Sequence, residues 1–175
     1  LKLAELTGAK LHVPHVSTAD SVKYIKEMKN SIEKVSAEVT PHHLFFSDES
    51  LQHYNTDLKV APPIRDDLSR KALIEAIKDG TIDCIATDHA PHTSHEKETT
   101  FDLASCGLIG LESCFGAVKK VLVDEEGFKL MDLLKTMTVS PRKIMGFDSD
   151  LIQVGKEAEI VLFDEKEKWV FNKEN

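Results

Sequence analysis

Two spacings of apolar residues alternate along this chain. Lys10 to Val16 alternates in part, with Val13 and Val16 apolar, and reads as a strand. Ser17 and Thr18 then offer N-cap oxygens for a helix from about Ala19 to Lys29, where Val22, Ile25 and Met28 recur three apart. Lys34 to Thr40 is a second short β-like run, stopped by Pro41. Leu44 to Leu51 reads as a loop with a short helical turn. From Leu68 to Lys78 the period is helical again, with Leu68, Ala72, Leu73, Ala76 and Ile77 on one side and Gly80 just past the end. Thr81 to Thr87 follows as a third strand, Ile82 and Cys84 to Ala86 being apolar enough for burial on both faces. Strands separated by helices predict βα units and a parallel sheet.

The second half of the chain continues with helices over Gly110 to Val123, Lys129 to Met137 and Ser140 to Gly146. Pro141 suits a first helical turn there, and Gly146 a stop. The pattern then changes. Leu151 to Asn175 reads as short β segments with Gly155 as a turn and Glu159 to Asp164 as the best strand. A boundary near Asp148 is expected, dividing residues 1–148 from a small β-rich part at 149–175. The opening stretch Leu1 to Lys10 reads as the end of a helix entering a strand, with Gly8 as its cap, so earlier elements are expected to precede it.

Composition narrows the class. A chain of 175 residues with 41% hydrophobic content can bury one ordinary core. Its net charge of -8 is dispersed, and no Lys/Arg cluster forms a stripe for nucleic acid. No apolar run approaches the roughly 20 residues that span a bilayer, so a cytoplasmic protein is expected. Cys84, Cys106 and Cys114 lack CxxC spacing, which points to reduced thiols rather than disulfides or a cysteine zinc site.

The candidate chemistry lies at predicted strand ends. His12 and His15, three apart, point to opposite faces of a strand, and His15 is the better candidate because it lies last before the Ser17-Thr18 cap; taken alone it is either a site residue or a surface or satisfied core histidine. Asp88 directly follows the apolar third strand; it either caps the next helix or binds a ligand. Carboxylate and imidazole are donors that zinc accepts, and parallel strands would bring Asp88 and His15 to one rim. His92 can reach over that rim from a loop, or stand exposed on it. His42 and His43 follow the second strand near the same rim, while His53 and His95 sit in polar surroundings that suit solvated side chains. Pro62-Pro63 forces an extended path next to Arg65, which either holds an anion or lies on the surface. Cys106-Gly107 with Gly110 forms a stretch whose main chain can approach a substrate closely, or a plain loop.

Taken together, His15-Val-Ser-Thr18, Ala37-Glu-Val-Thr-Pro-His-His43, Ala61-Pro-Pro-Ile-Arg65, Asp79-Gly-Thr-Ile-Asp83, Thr87-Asp-His-Ala-Pro-His92 and Gly107-Leu-Ile-Gly-Leu-Glu112 resemble the class I, bacterial-type dihydroorotases of the amidohydrolase superfamily. Order and spacing agree across nearly the whole chain. The resemblance implies an α/β fold: the last three βα units of a (β/α)8 TIM-like barrel, plus part of a small β-sandwich appendage. It implies a zinc centre, of two ions in the intact enzyme, with His15 as one ligand and Asp88 as ligand and proton-transfer group. His92, the main chain of Cys106 and Gly107, and position 61 would contact the substrate. Where the family commonly carries asparagine before the two prolines this chain has Ala61, which removes an amide contact.

The activity so implied is reversible hydrolysis of dihydroorotate to N-carbamoyl-L-aspartate in pyrimidine biosynthesis, in a homo-oligomeric enzyme without nucleic-acid or membrane partners. Zinc would activate water and polarise the ring amide. Two alternatives stand beside it. The chain lacks the HxH pair, bridging acid and further histidine that the family draws from earlier strands, so by itself it can be an inactive fragment or non-catalytic subunit. An allantoinase or dihydropyrimidinase-like cyclic amidase is the other.

Overall fold

A computed structural model describes residues 1–32, 34–149 and 152–172. Helix α1 (Lys2–Thr7) ends on Gly8, whose φ of 66° is the left-handed conformation of a helix stop. Strand β1 (Leu11–Val13) then leads to α2 (Ala19–Lys29), where the Thr18 hydroxyl accepts the Ser21 N–H as its cap. Strand β2 (Val35–Val39) follows, and Thr40 caps the short helix α3 (Pro41–Phe45). After two single 3-10 turns at Asp48–Leu51 and Thr56–Leu58, helix α4 (Asp67–Lys78) starts on the Asp66 carboxylate. Strand β3 (Cys84–Ile85) closes the sheet. Helices α5 (Ser94–Lys97), α6 (Cys114–Val118), α7 (Leu130–Met137) and α8 (Val139–Met145) complete the described helices, and α6 runs on into a wider π-helical stretch at Lys119–Glu125.

The sheet has the order β1-β2-β3 and is parallel throughout, as the alternation of strands and helices predicts. Leu11 pairs with Val35 and Val13 with Ala37; Glu38 pairs with Cys84 and Val39 with Ile85. Because side chains alternate along a strand, Ala37, Val39 and Ile85 share one face. That face meets Ile25, Leu73, Ile74, Ile77, Leu122 and Leu133 in one buried core. The opposite face carries His12, Ser36, Glu38 and Cys84.

Three expectations are corrected. The third strand does not run from Thr81 to Thr87 but is confined to Cys84–Ile85. Ile82 instead bonds back to the Ala76 carbonyl, and Asp83 accepts the Ala37 N–H on its side chain, so the approach to the strand is a tight turn. Pro41 to Phe45 is helical where Pro41 was expected only to stop a strand and Leu44 to begin a loop, since Pro41 at a first helical position needs no N–H partner. The Glu159 to Asp164 strand does not form: no strand is present over residues 152–172, and Val161 and Leu162 lie 84% and 98% exposed. A strand exists only through hydrogen bonds to a second one, and apolar alternation cannot supply the partner. Leu151 and 173–175 lie outside the described residues. Among those described, no helix is long and apolar enough to cross a membrane.

Candidate active site

In a parallel sheet all strands present their C-terminal ends on one edge, and each strand here hands a chemically active segment to that edge. Val16 N–H bonds to the Glu38 carbonyl and Ala86 N–H to that of Val39, which holds the ends of β1 and β3 against β2. His15 therefore leaves beside Thr40 to His43, and Asp88 leaves on the other flank. Both bend into backbone that side chains rarely adopt, with φ of 36° at His15 and 48° at Asp88. Such strain survives where the surroundings over-determine it, and it clusters at functional sites. His15 is half-buried and Asp88 exposed.

Between them stands a buried histidine pair with rings 4.5 Å apart. His43 Nε2–H donates to the Pro62 carbonyl at 3.0 Å, which leaves Nδ1 to accept the Thr40 hydroxyl at 2.7 Å. Burial holds its pKa below the usual histidine value, the Pro62 carbonyl opposes that, and the nearby charges of His15 and Asp88 act in opposite senses. His42 is more extreme. Neither ring nitrogen has a partner among the described residues, and burial together with His43 and His15 pushes its pKa down to about 3. It lines a broad groove of about 1280 Å³ with Phe46, Leu58, His92 and Leu108.

The loop after Asp88 is stitched to the segment expected to touch substrate. Ala90 N–H bonds to the Leu108 carbonyl at 3.0 Å. His92 Nε2–H donates to the Cys106 carbonyl at 2.9 Å, while Gly107 N–H donates to the Lys59 carbonyl at 2.8 Å. The Cys106 and Gly107 main chain is thus already bonded within the protein, and His92 Nδ1 lies 3.6 Å from Glu96. Residues 93–105 leave and return between these bonded ends, held inside by Lys97, whose ammonium donates to the Thr56 and Ser105 carbonyls. Ala61, Arg65, His53 and His95 are exposed.

His89 is the residue the sequence alone does not single out. Its Nδ1 accepts the Gly110 N–H at 3.2 Å and the Leu111 N–H at 3.1 Å, so its own proton sits on Nε2. The signal was its place between Asp88 and the bend. The three cysteines are free thiols, as expected.

Imidazole from His15 and carboxylate from Asp88 match the N and O donors that zinc takes, and both stand at the edge where βα folds gather ligands. They supply two donors. Among the described residues no third His, Cys, Asp or Glu joins them in a cluster of three.

The chain belongs to the amidohydrolase family, whose model matches residues 5–175. It is 44% identical over 172 residues to a dihydroorotase of a Thermoanaerobacter species, covering 98% of this chain and 40% of that protein. With a dihydroorotase of Carboxydothermus hydrogenoformans it shares 45% identity over 167 residues, 95% of this chain and 39% of that one. The chain thus spans about 40% of the length of the curated relatives it matches. Its fold resembles L-hydantoinase (dihydropyrimidinase) from Arthrobacter aurescens with a TM-score of 0.82, at 28% identity, over 90% of this chain and 36% of that one. A dihydropyrimidinase from Brevibacillus agri shares the fold at a TM-score of 0.81 and 23% identity, with the same coverage.

Proposed function

We propose that this chain forms the C-terminal part of a dihydroorotase, an enzyme that reversibly hydrolyses the six-membered ring of dihydroorotate to N-carbamoyl-L-aspartate. The observation that carries the proposal is that His15 and Asp88, each in strained backbone, leave the two outer strands of the parallel sheet, β1 and β3, at the same sheet edge. In this reading the parallel units are the last three of a (β/α)8 barrel, and residues 149–175 belong to a composite β-rich domain. His15 and Asp88 would hold zinc together with donors from earlier strands. Bound zinc lowers the pKa of water to about 7 and polarises a carbonyl.

The protein's own groups do the rest. The Asp88 carboxylate takes the proton from the attacking water and delivers it to the leaving ring nitrogen. His92 and the Cys106-Gly107 main chain orient the ring, which is a large part of rate enhancement. For the Cys106 carbonyl to serve, His92 must share its Nε2–H bond with the substrate. Buried His42 keeps its ring neutral beside the rim, so no extra positive charge competes with the metal.

A second reading, a hydantoinase-like enzyme, is favoured by Ala61, which offers no side-chain amide to dihydroorotate. The test is to assay the full-length protein carrying this chain on dihydroorotate, dihydrouracil and allantoin, with Asp88→Asn as control. Preference for dihydroorotate, with loss of turnover and retained zinc in Asp88→Asn or loss of both, supports the proposal. Preference for another ring sinks it. Stoichiometric zinc and full turnover in the 175-residue chain alone would show that no earlier ligands are needed.

A further inference from the structure

Away from the rim, three chemically different donors meet on the sheet face opposite the apolar core. His12 of β1, Glu38 of β2 and Cys84 of β3 each bring one ligand atom, all within 4.8 Å of one another. The parallel register explains the meeting. His12 pairs with Ser36 and Glu38 pairs with Cys84, so the period of two turns all four side chains to one face. His12 Nε2 lies 2.9 Å from Glu38 Oε2, and His12 Nδ1 lies 2.8 Å from Ser36 Oγ.

We propose that His12, Glu38 and Cys84 form a second transition-metal site, suited to zinc and separate from the His15 and Asp88 rim. Imidazole nitrogen, carboxylate oxygen and thiolate sulfur are the three donor types that zinc accepts, and three protein donors leave one tetrahedral position for water. All three come from paired strands rather than loops, so little ordering is needed on binding. Ser36 supplies the outer support that metal-binding histidines use: with a cation on Nε2, the ring proton sits on Nδ1 and donates to Ser36 Oγ.

Glu38 bonds to His12, while the Cys84 thiol has no hydrogen-bond partner among the described residues. Burial, with Glu38 and Asp83 adding to it, pushes that thiol up to about 12, so it stays protonated. On binding, a divalent cation would offset the burial that keeps the thiol protonated. The Cys84 S–H bond breaks and releases its proton to solvent, a sulfur–metal bond forms, and the cation faces both thiolate and carboxylate. The site is independent of the reaction proposed for the rim, because it uses none of the same side chains.

Cobalt(II) titration of the chain tests it, read by the near-ultraviolet thiolate-to-cobalt charge-transfer band. The rim donors carry no sulfur, so this band reports Cys84 alone among the two sites. The band is expected to saturate at one cobalt per chain, to survive Cys106→Ser and His15→Ala, and to vanish in Cys84→Ser. Zinc should displace it, since zinc outranks cobalt for such donors. Ser36→Ala should weaken binding about tenfold. No band in the unsubstituted chain at millimolar cobalt, a band that survives Cys84→Ser, or one that vanishes in Cys106→Ser overturns the proposal.

Discussion

Gly107 lies so near Ala90 that a Cβ built on it would stand 2.6 Å from the Ala90 carbonyl oxygen. The same atom would be 2.9 Å from His92 Nε2, and the residue's φ of +144° is one that side chains rarely adopt. Space and backbone therefore both demand glycine here. Gly107→Ala should destabilise by about 1–3 kcal/mol, read as a lower urea midpoint. Gly116→Ala is the matched control, because a Cβ there meets nothing within 4 Å inside α6, and it should stabilise by about 0.5–1 kcal/mol. Equal midpoints for the two variants would contradict this account.

His89 should matter through the amides it accepts. His89→Ala leaves the Gly110 and Leu111 N–H groups without their acceptor, at a cost of about 1–3 kcal/mol. Hydrogen exchange at those two amides should accelerate, while exchange in α4 keeps its wild-type order. His89→Asn retains an acceptor oxygen and should recover part of the loss. Unchanged exchange at Gly110 and Leu111 in His89→Ala would remove this role.

The acid limb of stability should carry the mark of His42. Its pKa is lowered from 6.5 to about 3 in the folded chain, so the unfolded chain binds the proton more readily. Its contribution is complete above pH 6.5 and is lost as pH falls toward 3, because protons then favour the unfolded state. Each pH unit inside that window removes about 1.4 kcal/mol. His42→Leu should flatten the profile, with a difference of about 2 kcal/mol between pH 7 and pH 5 abolished in urea melts. Parallel profiles for the two proteins would contradict it.

Leu73 sits 1% exposed in the layer between α4 and the sheet. Leu73→Ala should cost about 2–5 kcal/mol through lost transfer energy and a cavity, measured by urea unfolding. Leu68 shares the same helix but is 71% exposed, so Leu68→Ala should change stability by less than about 0.5 kcal/mol. Its inclusion in the apolar stripe was a reading of periodicity that burial does not follow.

The parallel sheet, α2 and α4 were legible in the sequence because local pattern and fold agree: Thr18 accepts an N–H where the period of α2 begins, and the period of α4 ends just before Gly80. The short helix at Pro41 was not, since a proline after a β-like run reads as a stop, and only the Thr40 hydroxyl bond to the His43 N–H reveals a start. His15, Asp88 and His92 stood out as strand-end and loop candidates. His89 did not, because the amides it serves lie 21 and 22 residues away, beyond any local spacing. The alternation near Glu159 misled for a related reason, since a strand depends on a partner that the alternating side chains do not name.

The excursion of residues 93–105 leaves and re-enters the fold through ends already fastened by the Ala90 to Leu108 bond and the Gly107 to Lys59 bond. Ser94 and Thr99 on that excursion line the groove that His42 and His92 also border. Exposed positions of a segment bounded this way are spaced from Asp88 by fixed ends, whereas Lys97, bonded to the Thr56 and Ser105 carbonyls, is part of the fastening. The segment's two ends are fixed apart from its interior, so replacing Ser94 and Thr99 changes the wall of the groove while Asp88 keeps its place after β3.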